Sequence, residues 1–86
     1  MHDLAEAYSN RGAAYVNKKD YDRSIADHTK AIELDPNYAA AYYNRGVAYH
    51  NKHDYDRAIA DYRRALKFDP SIEESKEGLK RLGASP

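Results

Sequence analysis

Along the chain, apolar side chains recur at helical spacing in five separate runs. Tyr8, Gly12 and Tyr15 fall at i, i+4 and i+7 with Arg11 beside the glycine, and Tyr42, Arg45, Gly46 and Tyr49 repeat the arrangement. That spacing places each set on one helix face. After Asn17-Lys18-Lys19-Asp20 and Asn51-Lys52-His53-Asp54 the phase restarts, giving the stripes Tyr21, Ile25, His28, Ile32 and Tyr55, Ile59, Tyr62, Leu66. Asp20 and Asp54 precede these stripes, where a carboxylate accepts free backbone N–H groups as an N-cap. Both second stripes stop at Asp-Pro, at Asp35-Pro36 and Asp69-Pro70, because the residue before proline avoids the α region and the ring cannot continue a helix. A fifth segment, about 72–82, sets Ile72, Leu79 and Leu82 against Glu73, Glu74, Lys76, Glu77, Lys80 and Arg81. Ser71, three residues before Glu74, reads as a capping box, and Gly83 reads as a helix stop. There is no period-two alternation and no Asn-Gly or Asp-Gly turn, so the pattern predicts an all-α chain of five helices with no strand.

The pattern is written twice. Residues 5–38 laid over residues 39–72, an offset of 34, agree at about 20 columns. One helical hairpin leaves an apolar face that it cannot bury alone, and a near-copy buries it; the fifth helix then acts as a lid on the open end. Gly12 and Gly46 each cost a helix ~1 kcal/mol, which is tolerable where the first helix must press closely on the second.

These residues resemble the tetratricopeptide repeat, a helix-turn-helix unit of 34 residues with the signature W-x2-L-G-x2-Y, then A-x3-F, then P. Tyr8, Gly12, Tyr15, Ala31 and Pro36, then Tyr42, Gly46, Tyr49, Ala58, Tyr62, Ala65 and Pro70, stand on signature or small-residue sites. The resemblance covers nearly the whole chain. It implies a single domain, 1–86, built as a right-handed superhelical stack of antiparallel hairpins, with repeats 5–38 and 39–72 and a capping helix at about 72–82. Three kinds of site depart from the signature: Arg11 and Arg45 replace leucine, Ser24 replaces alanine, and His28 replaces an aromatic residue. The arginines are expected to lay their methylenes over the core with their heads in water. A half-buried His28 would make the fold sensitive to acid.

In such a stack the first helix of each repeat lines a concave face. Rotation away from the Tyr/Gly stripe puts Glu6, Ser9, Asn10, Ala13 and Asn17, then Ala40, Tyr43, Asn44, Val47, His50 and Asn51, on that face, with Glu77 and Arg81 at its border. Amides for main-chain groups, small residues for a close backbone and one rigid aromatic suit a peptide groove. The family's carboxylate clamp for chaperone C-termini uses two Lys, two Asn and an Arg. Here the matching sites hold Ser9, Ala13, Asn44, Glu74 and Gly78, so only Asn44 agrees and the cationic part is missing. The expected ligand is therefore an internal segment or a partner's helix.

Composition narrows the alternatives. The 86 residues suffice for one domain with a modest core. Lys plus Arg and Asp plus Glu number 14 each, so no basic track gathers nucleic acid, and most of the nine tyrosines serve packing stripes. Cysteine is absent, which removes disulfides and thiolate chemistry. His50-x-x-His53-Asp54 offers two metal ligands, short of the three or four that zinc takes, and Ser24, Asp27 and His28 share one helix face without a second base. The expectation is no catalytic residue, no metal and no cofactor. Met1-His2-Asp3-Leu4-Ala5-Glu6 lacks the basic and apolar regions of a leader, and no run of ~18 apolar residues occurs, so a soluble, cytoplasmic chain without membrane contact is expected. A second reading is assembly. Two repeats and a lid fall short of the three or more units usually needed, and the edge carrying Leu4, Ala7 and Ala14 can pair or swap with another copy, as a homodimer.

Overall fold

The computed structural model describes residues 2–86; Met1, which the expected span of 1–86 includes, lies outside the described residues. These fold into α1 (His2–Asn17), α2 (Tyr21–Leu34), α3 (Ala39–Asn51), α4 (Tyr55–Phe68) and α5 (Glu73–Arg81), with no strand among the described residues. α1 pairs with α2 and α3 with α4 as hairpins, α2 packs on α3, and α4 packs on α5.

The helix ends follow the local chemistry. Asp20 and Asp54 each accept the backbone N–H three residues on, from Arg23 and Arg57. α5 closes as the glycine foretells: Gly83 has φ +70°, its N–H reaches the Lys80 carbonyl, and the Ala84 N–H reaches that of Leu79. The same double bond ends α1 and α3 with Lys19 and His53 at positive φ, and there the sequence holds no glycine. The Ser71–Glu74 capping box does not form. Ser71 instead donates its backbone N–H and its hydroxyl to Asp69 Oδ1, at 3.0 and 2.6 Å, so Ile72 is the N-cap and offers no side-chain bond. The Asp-Pro turn outcompetes the helix for the hydroxyl.

Of the nine apolar side chains buried among the described residues, six are alanine. Small residues let helix axes approach closely but bury little area, at ~25 cal/mol per Å2, so the core is thin and sensitive to single groups. One cluster gathers Ala5, Ala31 and Ala41 with Tyr8, Ile32, Leu34 and Tyr38 around it; the other gathers Ala58, Tyr62 and Leu79. The glycines behave as expected. A Cβ at Gly12 would stand 2.8 Å from the His28 ring, and one at Gly46 would stand 2.9 Å from the Tyr62 ring. A Cβ at Gly78 of α5 would stand 2.7 Å from the same Tyr62 ring, so this tyrosine is pressed between two glycines.

Two expectations about the departures from the signature are corrected. Arg11 and Arg45 do not simply hold their heads in water. Arg11 Nε and Nη2 donate to Asp27 Oδ2 and Oδ1, both at 2.8 Å, and Arg45 makes the same fork on Asp61, again at 2.8 Å. Forked geometry suits a carboxylate that has sunk into the hairpin, where a lone charge would be costly. His28 is not half-buried but wholly enclosed, and burial pushes its imidazole down to about 4.

Candidate functional site

α1 touches α3, and α3 touches α5, whereas α2 and α4 do not meet. The first helices thus converge while the second helices splay, which makes the α1/α3/α5 side the inner face of the curve. On it lies a hollow of about 230 Å3 between α3 and α5. Tyr43, Val47, His50 and Asn51, all expected on the concave face, line it from α3. Tyr62 of α4 closes it from behind, and Glu74, Gly78 and Arg81 close it from α5.

Local packing fixes its walls. The Tyr43 and Tyr62 rings lie 5.9 Å apart at a tilt, and His50 Nδ1 is 3.1 Å from the Tyr62 hydroxyl. His50 also meets the edges of Tyr55 and Tyr62 at 5.7 and 6.2 Å. Burial raises the Tyr43 phenol above its ordinary range and pushes that of Tyr62 up to about 12, so both keep their protons at neutral pH. Asn51 spends one amide hydrogen on the Val47 carbonyl at 2.8 Å. The hollow therefore has an aromatic floor, one half-used amide and a charged residue at each end of its α5 wall.

The remaining expected groove residues are not part of this hollow. Glu6, Asn10 and Asn17 are exposed on α1, Ala13 is half-buried there, and Ala40 and Asn44 lie on α3. Ser9 is the exception to the expected exposure. It is buried, with its hydroxyl 3.3 Å from His28 Nδ1, because a side chain this short settles over the imidazole, whereas Tyr43 at the equivalent place reaches outward. Sequence reasoning missed Tyr62 as a lining residue; it reached Glu74 and Gly78 only as clamp sites of the family and did not count them among the groove residues. Their signal lay in the 34-residue register, which puts Glu74 over Ala40 and Gly78 over Asn44.

In the His50-x-x-His53 pair, His53 Nδ1 lies 2.7 Å from the Tyr55 hydroxyl and His50 Nδ1 lies 3.1 Å from that of Tyr62. Among the described residues no three His, Cys, Asp or Glu side chains converge on a metal site, and no helix is long and apolar enough to cross a membrane. A second opening, of about 260 Å3, lies at the other end of the stack, lined by Leu4, Ala7, Tyr8 and Arg11.

The model of the family described as tetratricopeptide repeat matches residues 5–38 and 39–72. Among solved structures, the TPR domain of OM64 from Arabidopsis is 35% identical with a TM-score of 0.90, over 92% of this chain and 65% of that one. The first TPR of Spaghetti (RPAP3), bound to the HSP90 peptide SRMEEVD, is 28% identical with a TM-score of 0.89, over 92% of this chain and 63% of that one. The chain thus spans less than two thirds of either structure. Among curated proteins, none matches it.

Proposed function

Because the chain belongs to the tetratricopeptide repeat family, whose domains mediate protein–protein interaction, we propose that it binds a peptide or protein segment along its concave face, centred on the hollow between α3 and α5. The observation that carries this reading is the hollow itself. It joins a rigid aromatic floor to unpaired polar groups, the combination through which interfaces draw most of their binding energy. The peptide in the RPAP3 structure supports the choice of ligand class. An acidic C-terminus like that of SRMEEVD fits poorly: Glu74 stands at a clamp position, Ser9 is buried at another, and Asn44 alone keeps the clamp's residue type. The ligand is an internal segment or a helix. The binding role needs no cofactor and no catalytic group.

A random heptapeptide library selected on the immobilised chain tests this reading. Selected peptides should lose at least tenfold in affinity against Tyr43→Ala with Asn44→Ala, while the circular dichroism spectrum of the variant stays helical. Unchanged affinity would move the site elsewhere.

A second reading rests on the opening at Leu4, Ala7, Tyr8 and Arg11, where Leu4 is 46% exposed. The equivalent residues Tyr38, Ala41, Tyr42 and Arg45 belong to the face on which α2 packs. A second copy covering that face would make the chain an assembly module. Molar mass across a wide concentration range decides it, since a stable dimer favours assembly and a monomer at all concentrations opposes it.

A further inference from the structure

The hollow between α3 and α5 carries two charges with no partner of their own. Several surface side chains neutralise one another: Arg23 with Asp20, Arg57 with Asp54, Lys30 with Glu33, Lys52 with Asp22, and Lys76 with Glu73 on α5 itself. Glu74 and Arg81 form no ion pair among the described residues, although both line the hollow and both act on the Tyr43 phenol, the carboxylate raising its pKa and the guanidinium lowering it. The helix dipole explains why α5 has acids first and bases last. Glu77 and Lys80 of α5 also form no ion pair among the described residues, but of these four charges only Glu74 and Arg81 line the hollow.

Their spacing is informative. Seven residues of helix separate them by about 10.5 Å along the axis of α5. On an extended chain the first, third and fifth side chains share a face, and four residues cover about 13 Å, a span that flexible cationic and acidic side chains bridge to both charges. Between the two charges, Gly78 has no side chain to fill the gap, and the Tyr43 and Tyr62 rings form an apolar floor.

Building on the groove reading above, we infer that the hollow selects an extended segment in which a cationic and an acidic side chain, four residues apart, flank an apolar one midway between them. The cation pairs with Glu74, the acid pairs with Arg81, and the apolar side chain rests on Tyr43 and Tyr62. Charge complementarity of this kind sets register and rejects wrong partners more than it adds affinity. A segment carrying only acids sets a carboxylate against Glu74, and one carrying only bases sets a cation against Arg81.

The probe is the amidated, fluorescently labelled peptide Ser-Lys-Ser-Leu-Ser-Glu-Ser, titrated into the full chain at low salt and read by anisotropy. Two double-mutant cycles follow, one combining Glu74→Gln with the peptide's Lys replaced by Gln, the other combining Arg81→Gln with the peptide's Glu replaced by Gln. Each cycle should show coupling of roughly three- to fivefold, the range of exposed ion pairs, and the coupling should shrink as salt is raised. Additive effects in both cycles would overturn the inference while leaving the groove standing. No binding of this peptide, when library-selected peptides do bind, would also overturn it alone. If neither the probe nor any library peptide binds, both readings fall.

Discussion

The two hairpins of this chain have nearly one sequence and two different interiors. In the second, Ala58 and Tyr62 fill the space between α3, α4 and α5, and the Tyr62 ring is held by Gly46, Gly78 and the tilted ring of Tyr43. In the first, the equivalent positions hold Ser24, His28 and Ser9. All three are buried, and Ser24 Oγ and His28 Nε2 have no hydrogen-bond partner among the described residues. A buried polar atom without a partner costs about 1–3 kcal/mol. The backbone pattern is thus duplicated while the stability is not, and the second hairpin, which also builds the hollow, is the better packed of the two.

The salt bridges differ in the same direction. The Arg45 side chain is 14% exposed and bonds across the repeat boundary to Thr29 Oγ1 at 3.2 Å, while that of Arg11, which has no such cross-repeat bond among the described residues, is 61% exposed. Hydrogen bonding to Asp61 raises the pKa of Arg45 and keeps it charged. The largest separation of the two hairpins should therefore come from Arg45→Leu, which leaves the buried Asp61 with only the longer 3.3 Å bond from the exposed Arg64 and should cost ~3 kcal/mol in denaturant unfolding. Arg11→Leu, the same change in the open repeat, should cost clearly less. Equal losses would break the comparison, and adding Asp61→Leu to Arg45→Leu should restore much of the stability.

The next effect is in pH. Burial holds folded His28 at about 4, below the ordinary histidine value of 6.5. Between those values the unfolded chain binds a proton that the folded chain refuses. Its contribution is therefore complete above pH 6.5 and drains away as pH falls toward 4, by ~3 kcal/mol in total. Chemical denaturation of the wild type and of His28→Gln from pH 7 to 4 isolates that loss, and parallel curves would contradict it. The smallest effect points the other way. Ser24→Ala gives the first hairpin the residue the second already uses, Ala58, and should raise stability by about 1 kcal/mol, measured as a higher unfolding midpoint.

How much of this could be read from the sequence depended on whether the signal was local or reached across a hairpin. Helix number, the Asp20 and Asp54 caps, the Asp-Pro stops and the Gly83 terminus are decided within a few residues, and the structure has them as expected. Gly12 and Gly46 were legible because a repeated glycine inside a helix has few other uses. The Arg–Asp forks were not, since they join residues 16 apart on separate helices; only the recurrence of Arg11 with Asp27 as Arg45 with Asp61 hinted at them. Ser71 misled because its backbone N–H and hydroxyl both donate to Asp69 Oδ1, two residues back, and neither takes part in a cap with Glu74. Within the groove, Tyr43, Val47, His50 and Asn51 could be placed by helix rotation. The burial of Ser9 depended on which side chain stood opposite, and Tyr62 entered the hollow from the other helix of its hairpin.

The central claim is that partners bind on the inner face beside the well-packed hairpin and not at the open edge of the other. Amide chemical-shift mapping of the labelled chain, titrated with a library-selected peptide, tests this most directly. The largest shifts should fall on Tyr43, Val47, His50, Gly78 and Arg81. Shifts centred on Leu4, Ala7, Tyr8 and Arg11 would contradict the claim and make the uncovered face of α1 the site of interaction.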